Sequence, residues 1–368
     1  LRRISFVRAP SGESMGAVFA KLALSPAEQV AHLQRKGLRI ADPAAARHSL
    51  AHIGYYHLSA YWFPYKTSAG ASRAFRPGTD FAEIVKLYEF DRALKLLIID
   101  AIERIEISIR ANFVRFMSLE YGAHGYLDWQ HYKTAAPLAK IISDTNRELQ
   151  KPNNLFTRHY KQVYDSPLLP PLWIVAELLT FGTLSKLLAD LRQPADRNAI
   201  ARPYSLDETI FLPVLQHLSY IRNICAHHGR LWNRDLIIKQ PIAKKPEFLA
   251  QNLNSSANNK IYNALVYIAH LLKIIKPEAV WKTKIKHCVT TRPSYAHLNF
   301  MGFPPDWQQR PLWQYAAATN KAASRVIIYN FCRRAAKKPS RPAKSGSLSG
   351  KSAGVVRKKP CSVISPAA

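Results

Sequence analysis

The chain has 368 residues and carries 53 Lys and Arg against 24 Asp and Glu, a formal net charge of +29 at pH 7; so large an excess implies a polyanionic partner, with nucleic acid the first candidate. That length supports one large or two ordinary domains with a sizeable core and excludes a miniature scaffold. The four cysteines, Cys225, Cys288, Cys332 and Cys361, form no CxxC spacing, and a charge interrupts every apolar run, 94–109 included, so disulfide frameworks, zinc knuckles and membrane spans of about 18 residues are all disfavoured and a reduced, cytoplasmic setting fits best.

Residues 1–24 are basic, hold a single acid and include Met15 as a candidate initiator; they read as a disordered leader. Ser25, Pro26 and Glu28 then supply the cap, the first-turn proline and the reciprocal acid of a helix start. This helix should run to about Lys36 and stop at Gly37. Asp42 and Pro43 open a second helix over 44–53, ended by Gly54. Tyr55, Tyr56, Tyr61, Trp62, Phe63 and Tyr65 form an aromatic cluster, which the area such rings bury assigns to helix packing ahead of a base-stacking platform. Residues 64–80 read as a loop.

The longest helical signal covers 81–119, with Ile84, Leu87, Leu94, Ile98, Ile102, Ile105, Ile109, Phe113 and Phe116 on one face. Glu106 falls within about 40° of that face. A partly buried carboxylate needs a cation beside it, and two are available: Arg110, one turn on, or Arg222 much later in the chain. Residues 122–125 break the pattern, and 126–164 should hold short helices; His124, His131 and His159 there show no zinc-site spacing, so no metal is expected. Pro167, Pro170 and Pro171 lead into a helix over 172–179, with Trp173 and Glu177 on one side. Phe181-Gly182-Thr183 should bend the chain into 184–191. Ser205 and Glu208 have capping-box spacing for the next helix. After Arg234 come a proline-rich connector, a helix over 257–275, and an irregular stretch over 276–315 that packs through Phe300, Phe303, Trp307 and Trp313. Residues 333–368 contribute ten Lys and Arg and no acid, leaving +19 on the rest; this tail, rich in Lys, Pro, Ser, Gly and Ala, should be disordered. The fold class is all-α.

The chemistry concentrates at 221–234. Phe211, Val214, Leu215, Leu218, Ile221 and Cys225 recur at three and four, which anchors a helix. On that helix Arg222, Asn223 and His227 share an arc of roughly 140°. Gly229 is a natural stop. His228, about 240° from Arg222, should face a neighbouring helix, while Arg230, Asn233 and Arg234 could line a rim. Spacing alone also allows a structural part, with Arg222 pairing to Glu106 or Glu177 and His227 capping the helix end.

Arg222, Asn223 and His227 resemble the motif of the HEPN superfamily, many of whose members are metal-independent ribonucleases. The chain as a whole resembles the Abi-like family of bacterial abortive-infection proteins, of the AbiD and AbiF type. The likeness lies in Ile53-Gly54-Tyr55-Tyr56-His57-Leu58-Ser59-Ala60-Tyr61, in Leu87-Tyr88-Glu89-Phe90-Asp91-Arg92, in Ala101-Ile102-Glu103-Arg104-Ile105-Glu106, in Trp173 to Glu177 with Phe181-Gly182-Thr183-Leu184, and in 222–234. These blocks run in family order across 33–240, and Met301-Gly302-Phe303-Pro304 fits longer members. The sequence departs from the family at His57, where Arg is usual. The resemblance implies a HEPN-like bundle with its core at about 81–235, inside a helical domain over 25–280 that carries an N-terminal helical and aromatic element and is followed by an extension over 281–332. It also implies an RNA-cleaving toxin of phage defence that works as a homodimer, and it leaves room for an antitoxin, protein or RNA.

The residues suit that chemistry. RNA carries its own nucleophile in the 2′-hydroxyl, so cleavage needs a base, an acid and positive charge on the phosphoryl oxygens, and no cofactor is required. Imidazole exchanges protons near neutral pH, and guanidinium grips phosphate in two-pronged fashion. His227 is therefore the expected proton-transfer group, Arg222 the phosphate clamp and Asn223 the positioning residue, with His228, Arg230, Asn233, Arg234 and Glu106 in support. A non-catalytic RNA-binding scaffold or sensor is the alternative.

Overall fold

The expected helix starts form at the amino end. The Ser25 hydroxyl accepts from the Glu28 amide at 3.4 Å while the Glu28 carboxylate accepts from the Ser25 amide at 2.7 Å, closing the capping box of α1 (Pro26–Arg35), and Gly37 turns the chain at a φ of +85°. Asp42 caps α2 (Pro43–His52) through the amides of Ala44 and Ala45, and Gly54, at a φ of +92°, turns the chain into α3 (Tyr55–Trp62). These are the first of thirteen α-helices in the computed structural model, which describes residues 22–67, 74–151, 154–278 and 280–314, all within one compact unit. The described residues form an all-α protein of α-helices and short 3-10 turns, with isolated β-bridges in place of strands. The expected tail at 333–368, and all but the last three residues of the expected leader, lie outside them.

The spine is α4 (Phe81–Tyr121), 41 residues capped by the Asp80 carboxylate and ended at Gly122. At 1.5 Å per residue it spans about 60 Å. Its expected apolar face is buried from Ile84 to Phe113, but the last buried position is Met117 and Phe116 is only half-buried; a straight helix drifts against any fixed spacing. α5 (Ala136–Gln150), α6 (Leu155–Val163) and α7 (Leu172–Leu178) follow, α5 and α6 lying against α7 and α7 against the spine.

The expected bend at Phe181-Gly182-Thr183 does not occur. α8 (Phe181–Asp190) begins there, with Thr180 as its cap, and Gly182 lies in its first turn. A Cβ on Gly182 would stand 3.2 Å from the Ser219 hydroxyl, so this glycine permits a close helix contact and makes no turn. Beyond α9 (Pro194–Ala201) the expected capping box is also absent: Ser205 is left-handed, at a φ of +54°, and Asp207 caps α10 (Glu208–Ala226) through the amides of Thr209 and Ile210. Glu208 instead pairs with Arg197.

α10 lies against α4, α8, α9 and α12 (Ile261–Ile275), with the short α11 (Glu247–Asn252) between α10 and α12 in sequence. Every residue from Ile261 to Leu272 is buried, as expected of a helix apolar on all sides. This helix starts four residues later than its sequence suggested, because Ser255–Ala257 forms a 3-10 turn. The stretch expected to be irregular contains α13 (Trp281–Thr290), which packs on α4 through Trp281, Ile285 and Val289. Its Lys and Thr content hid a short amphipathic pattern. Phe303, Trp307 and Trp313 are buried together edge to face as expected.

Candidate active site at the end of the motif helix

All six anchoring positions of α10, Phe211, Val214, Leu215, Leu218, Ile221 and Cys225, are buried. Burial pushes the Cys225 thiol up to about 12, so it remains a packing group. On the opposite side Asn223 and His227 are exposed and Arg222 is half-buried. The Arg222 guanidinium donates to Asn223 Oδ1 at 3.4 Å, and no carboxylate among the described residues pairs with Arg222 or His227. The two carboxylates that spacing offered to Arg222 are both taken by Arg110: Glu106 at 2.8 Å and Glu177 at 3.5 Å, with the Leu179 carbonyl at 2.9 Å. Of the two cations that the sequence offered Glu106, the structure takes Arg110 and not Arg222, so Glu106 lends the motif no ion pair; its neighbour one turn along the same helix satisfies it first.

The helix end also differs from its sequence reading. His227 is the C-cap, and His228 takes the left-handed conformation at a φ of +58°. The Gly229 amide donates to the Ile224 carbonyl at 2.9 Å and the His228 amide to the Cys225 carbonyl at 3.1 Å, the paired bonds of a Schellman motif. The stop is thus His228, one residue before the glycine, and Gly229 is there for room: a Cβ would stand 3.2 Å from Ile224 Cγ2 and from the Ile224 carbonyl oxygen. Because the helix has already ended, His228 does not continue its 100° steps toward a neighbouring helix. Like His227, it is exposed.

A buried ion pair on α4 holds the segment after this cap. Asp91 is wholly buried and Lys95 6% exposed, with 3.3 Å between them. Lys95 Nζ donates to the carbonyls of His228 and Gly229 at 3.5 and 3.3 Å. Asp91 accepts from the Leu231 amide at 3.2 Å, the Trp232 amide at 2.6 Å and the Tyr61 hydroxyl at 2.8 Å. Burial, and then the Asp91 charge, push the Tyr61 phenol well above its usual range, so it remains a donor. Each charge of the pair thus faces the complementary side of one loop's backbone. Sequence reasoning applied the buried-carboxylate argument to Glu106 but not to Asp91, which stands four residues after Leu87 and three before Leu94 on the same apolar face. That placement was the available signal.

Arg230 and Asn233, both half-buried, are held within the loop that follows the motif helix. The Arg230 guanidinium donates to the Ala60 carbonyl of α3 and, at 3.0 Å, to the Asn233 carbonyl, and it lies 5.9 Å from the Trp232 ring. Asn233 is left-handed, at a φ of +49°. Arg234 is half-buried and donates to the Arg230 carbonyl at 3.4 Å. Trp232, fully buried, stacks parallel to Tyr65, which in turn stacks on Tyr295. Of the aromatic cluster, Tyr61 and Trp62 are core residues, while Tyr56 and Phe63 are exposed. No three His, Cys, Asp or Glu side chains among the described residues gather in a way that could hold a metal ion. No described helix is long and apolar enough to cross a membrane.

A family model described as Abi-like protein matches residues 48–233, half of the chain. The chain belongs to the Abi-like family. The Abi-like match contains α3, the Asp91–Lys95 pair and the motif up to Asn233, while Arg234 and Tyr295 lie beyond it. No curated protein and no solved structure matches the chain.

Proposed function

We propose that this Abi-like protein is a HEPN-type endoribonuclease toxin of phage defence, which needs no metal and cleaves RNA through its own 2′-hydroxyl. Membership of the Abi-like family supports the abortive-infection role. The observation that carries the nuclease reading is the state of Arg222, Asn223 and His227: they project from the end of a buried helix, reachable from solvent and unclaimed by any carboxylate among the described residues.

In this reading Arg222 holds the phosphoryl oxygens, Asn223 orients the guanidinium or the substrate, and His227 transfers a proton. Attack of the 2′ oxygen forms its bond to phosphorus as the bond from phosphorus to the 5′ oxygen breaks. One proton leaves the 2′ position and one reaches the 5′ oxygen, giving a 2′,3′-cyclic phosphate and a 5′-hydroxyl. A homodimer would bring two motifs to one cleft. Purified protein should cleave RNA in the presence of EDTA, and Arg222→Ala and His227→Ala should each lose at least about 100-fold in rate. Cleavage at the wild-type rate by both variants would refute the assignment. The basic balance favours a second reading, a non-catalytic RNA-binding scaffold or sensor; it predicts salt-sensitive binding that survives both substitutions, with no cleavage by any form.

A further inference from the structure

His57 lies on the side of α3 that grips the motif loop. On an α-helix, residues 57, 60 and 61 fall within an arc of roughly 100°. The Ala60 carbonyl accepts from Arg230, and the Tyr61 hydroxyl donates to Asp91, which holds the Leu231 and Trp232 amides. The His57 ring stands edge-on to Tyr88, 5.6 Å between centroids, and 6.2 Å from Tyr61. Tyr88, Asp91 and Lys95 share an arc of roughly 60° on α4. The same stripe of α4 therefore carries His57 at one point and, through Asp91 and Lys95, the backbone of 228–232 at the next. His57 is half-buried and His228 exposed. No hydrogen bond within the protein occupies the His57 imidazole among the described residues, in contrast to His270, whose Nε2 lies 2.9 Å from the Tyr204 carbonyl.

We propose that His57 is the second proton-transfer group of the site, accepting the proton of the RNA 2′-hydroxyl while His227 returns one to the leaving 5′ oxygen. This rests on the nuclease reading and deepens it: a cleavage needs two such groups, and His57 places the second on the same protomer as His227 instead of leaving it to a second motif across a dimer. The balance closes on the chain's own residues: His57 gains the proton that the nucleophile loses, His227 gives up the proton that the leaving oxygen gains, and exchange with water restores both. The surroundings suit a base. Burial, then the charges of Lys95 and His228, hold the His57 imidazole below its usual range, with Asp91 opposing them; Tyr61 and Tyr88 are its ring neighbours. His57 is therefore neutral and ready to accept a proton at neutral pH.

The test is made on the full chain with an RNA substrate in EDTA, following kcat and KM against pH. His57→Gln should lower kcat by about 100-fold or more with KM close to wild type, and should abolish the fall in rate on the acid side of the profile. His57→Arg keeps a cation at the position but supplies no base, and should be as slow as His57→Gln. Wild-type kcat in His57→Gln, alongside an inactive His227→Ala, would overturn the proposal and leave the nuclease reading standing. Recovery of cleavage in His57→Arg would overturn it too, by showing that charge is what the position supplies. Wild-type protein that cleaves no RNA would end both. A histidine NMR titration checks the geometry in folded protein whatever the rates: the His57 midpoint should rise in His228→Asn, a substitution that tolerates the left-handed cap, and an unchanged midpoint would refute the juxtaposition.

Discussion

Two kinds of charged residue meet at this site, and burial separates their tasks. Arg222 and His227 are open to solvent and unpaired with acids, whereas Asp91 and Lys95 are buried and pair with each other and with one loop. A buried ion pair contributes little net stability but is costly to break, since the remaining charge is left without a partner. Asp91→Ala should therefore lower the unfolding free energy by about 3–5 kcal/mol. Asp91→Asn should cost less, because its amide oxygen can still accept from Leu231 and Trp232. Urea denaturation of the two variants checks this ordering, and equal losses would mean that the charge alone matters. Neither residue was singled out for this part from sequence, although the pattern around Leu87 and Leu94 placed Asp91 on a buried face. The partners that make it a clasp lie 140 residues away in the chain, beyond the reach of any local rule.

Among the elements, the contact of α8 with α10 shows how one missing side chain sets a helix separation. Gly182 sits in the first turn of α8, where alanine would ordinarily favour the helix by about 1 kcal/mol. The 3.2 Å approach of its added Cβ to the Ser219 hydroxyl opposes that gain. Gly182→Ala should consequently destabilise the wild-type protein, on the order of 1 kcal/mol, and become neutral or stabilising in a Ser219→Ala background where the hydroxyl is gone. Melting temperatures of the two single variants and the double variant give the answer; a destabilising Gly182→Ala in both backgrounds would show that Ser219 is not the obstacle. The bend expected at this glycine was a reasonable inference from residue type, since glycine serves turns and close contacts alike. Only the neighbouring helix distinguishes the two uses.

For the molecule as a whole, the core carries a pH liability. His217 on α10 is fully buried, and neither ring nitrogen makes a hydrogen bond of normal geometry, although the Ile238 backbone slightly favours the charged form. Burial pushes its pKa down to about 4. The unfolded chain, with an ordinary imidazole near 6.5, then binds a proton more readily than the folded one, so stability falls as the pH drops from about 6.5 towards 4. This one group accounts for a loss on the order of 3 kcal/mol across that window. Buried His270 shifts in the same direction. The melting temperature should decline on acidification, and His217→Gln should decline less steeply over the same range; parallel curves would assign the acid sensitivity elsewhere.

Local chemistry was sufficient for much of the architecture. The cap at Ser25, the spine from Phe81, the buried face of α10 and its polar end follow from helix period and from groups that must satisfy the backbone, all interactions within a few residues. Membership of the Abi-like family was legible for a similar reason, in short blocks that keep their order along the chain. The room that Gly182 leaves for Ser219, the second carboxylate that Glu177 brings to Arg110, and the clasp from Asp91 and Lys95 were decided only when distant segments packed together. In each case one residue type can satisfy two geometries equally well, and what selects between them is a partner that proximity in space supplies and proximity in sequence does not.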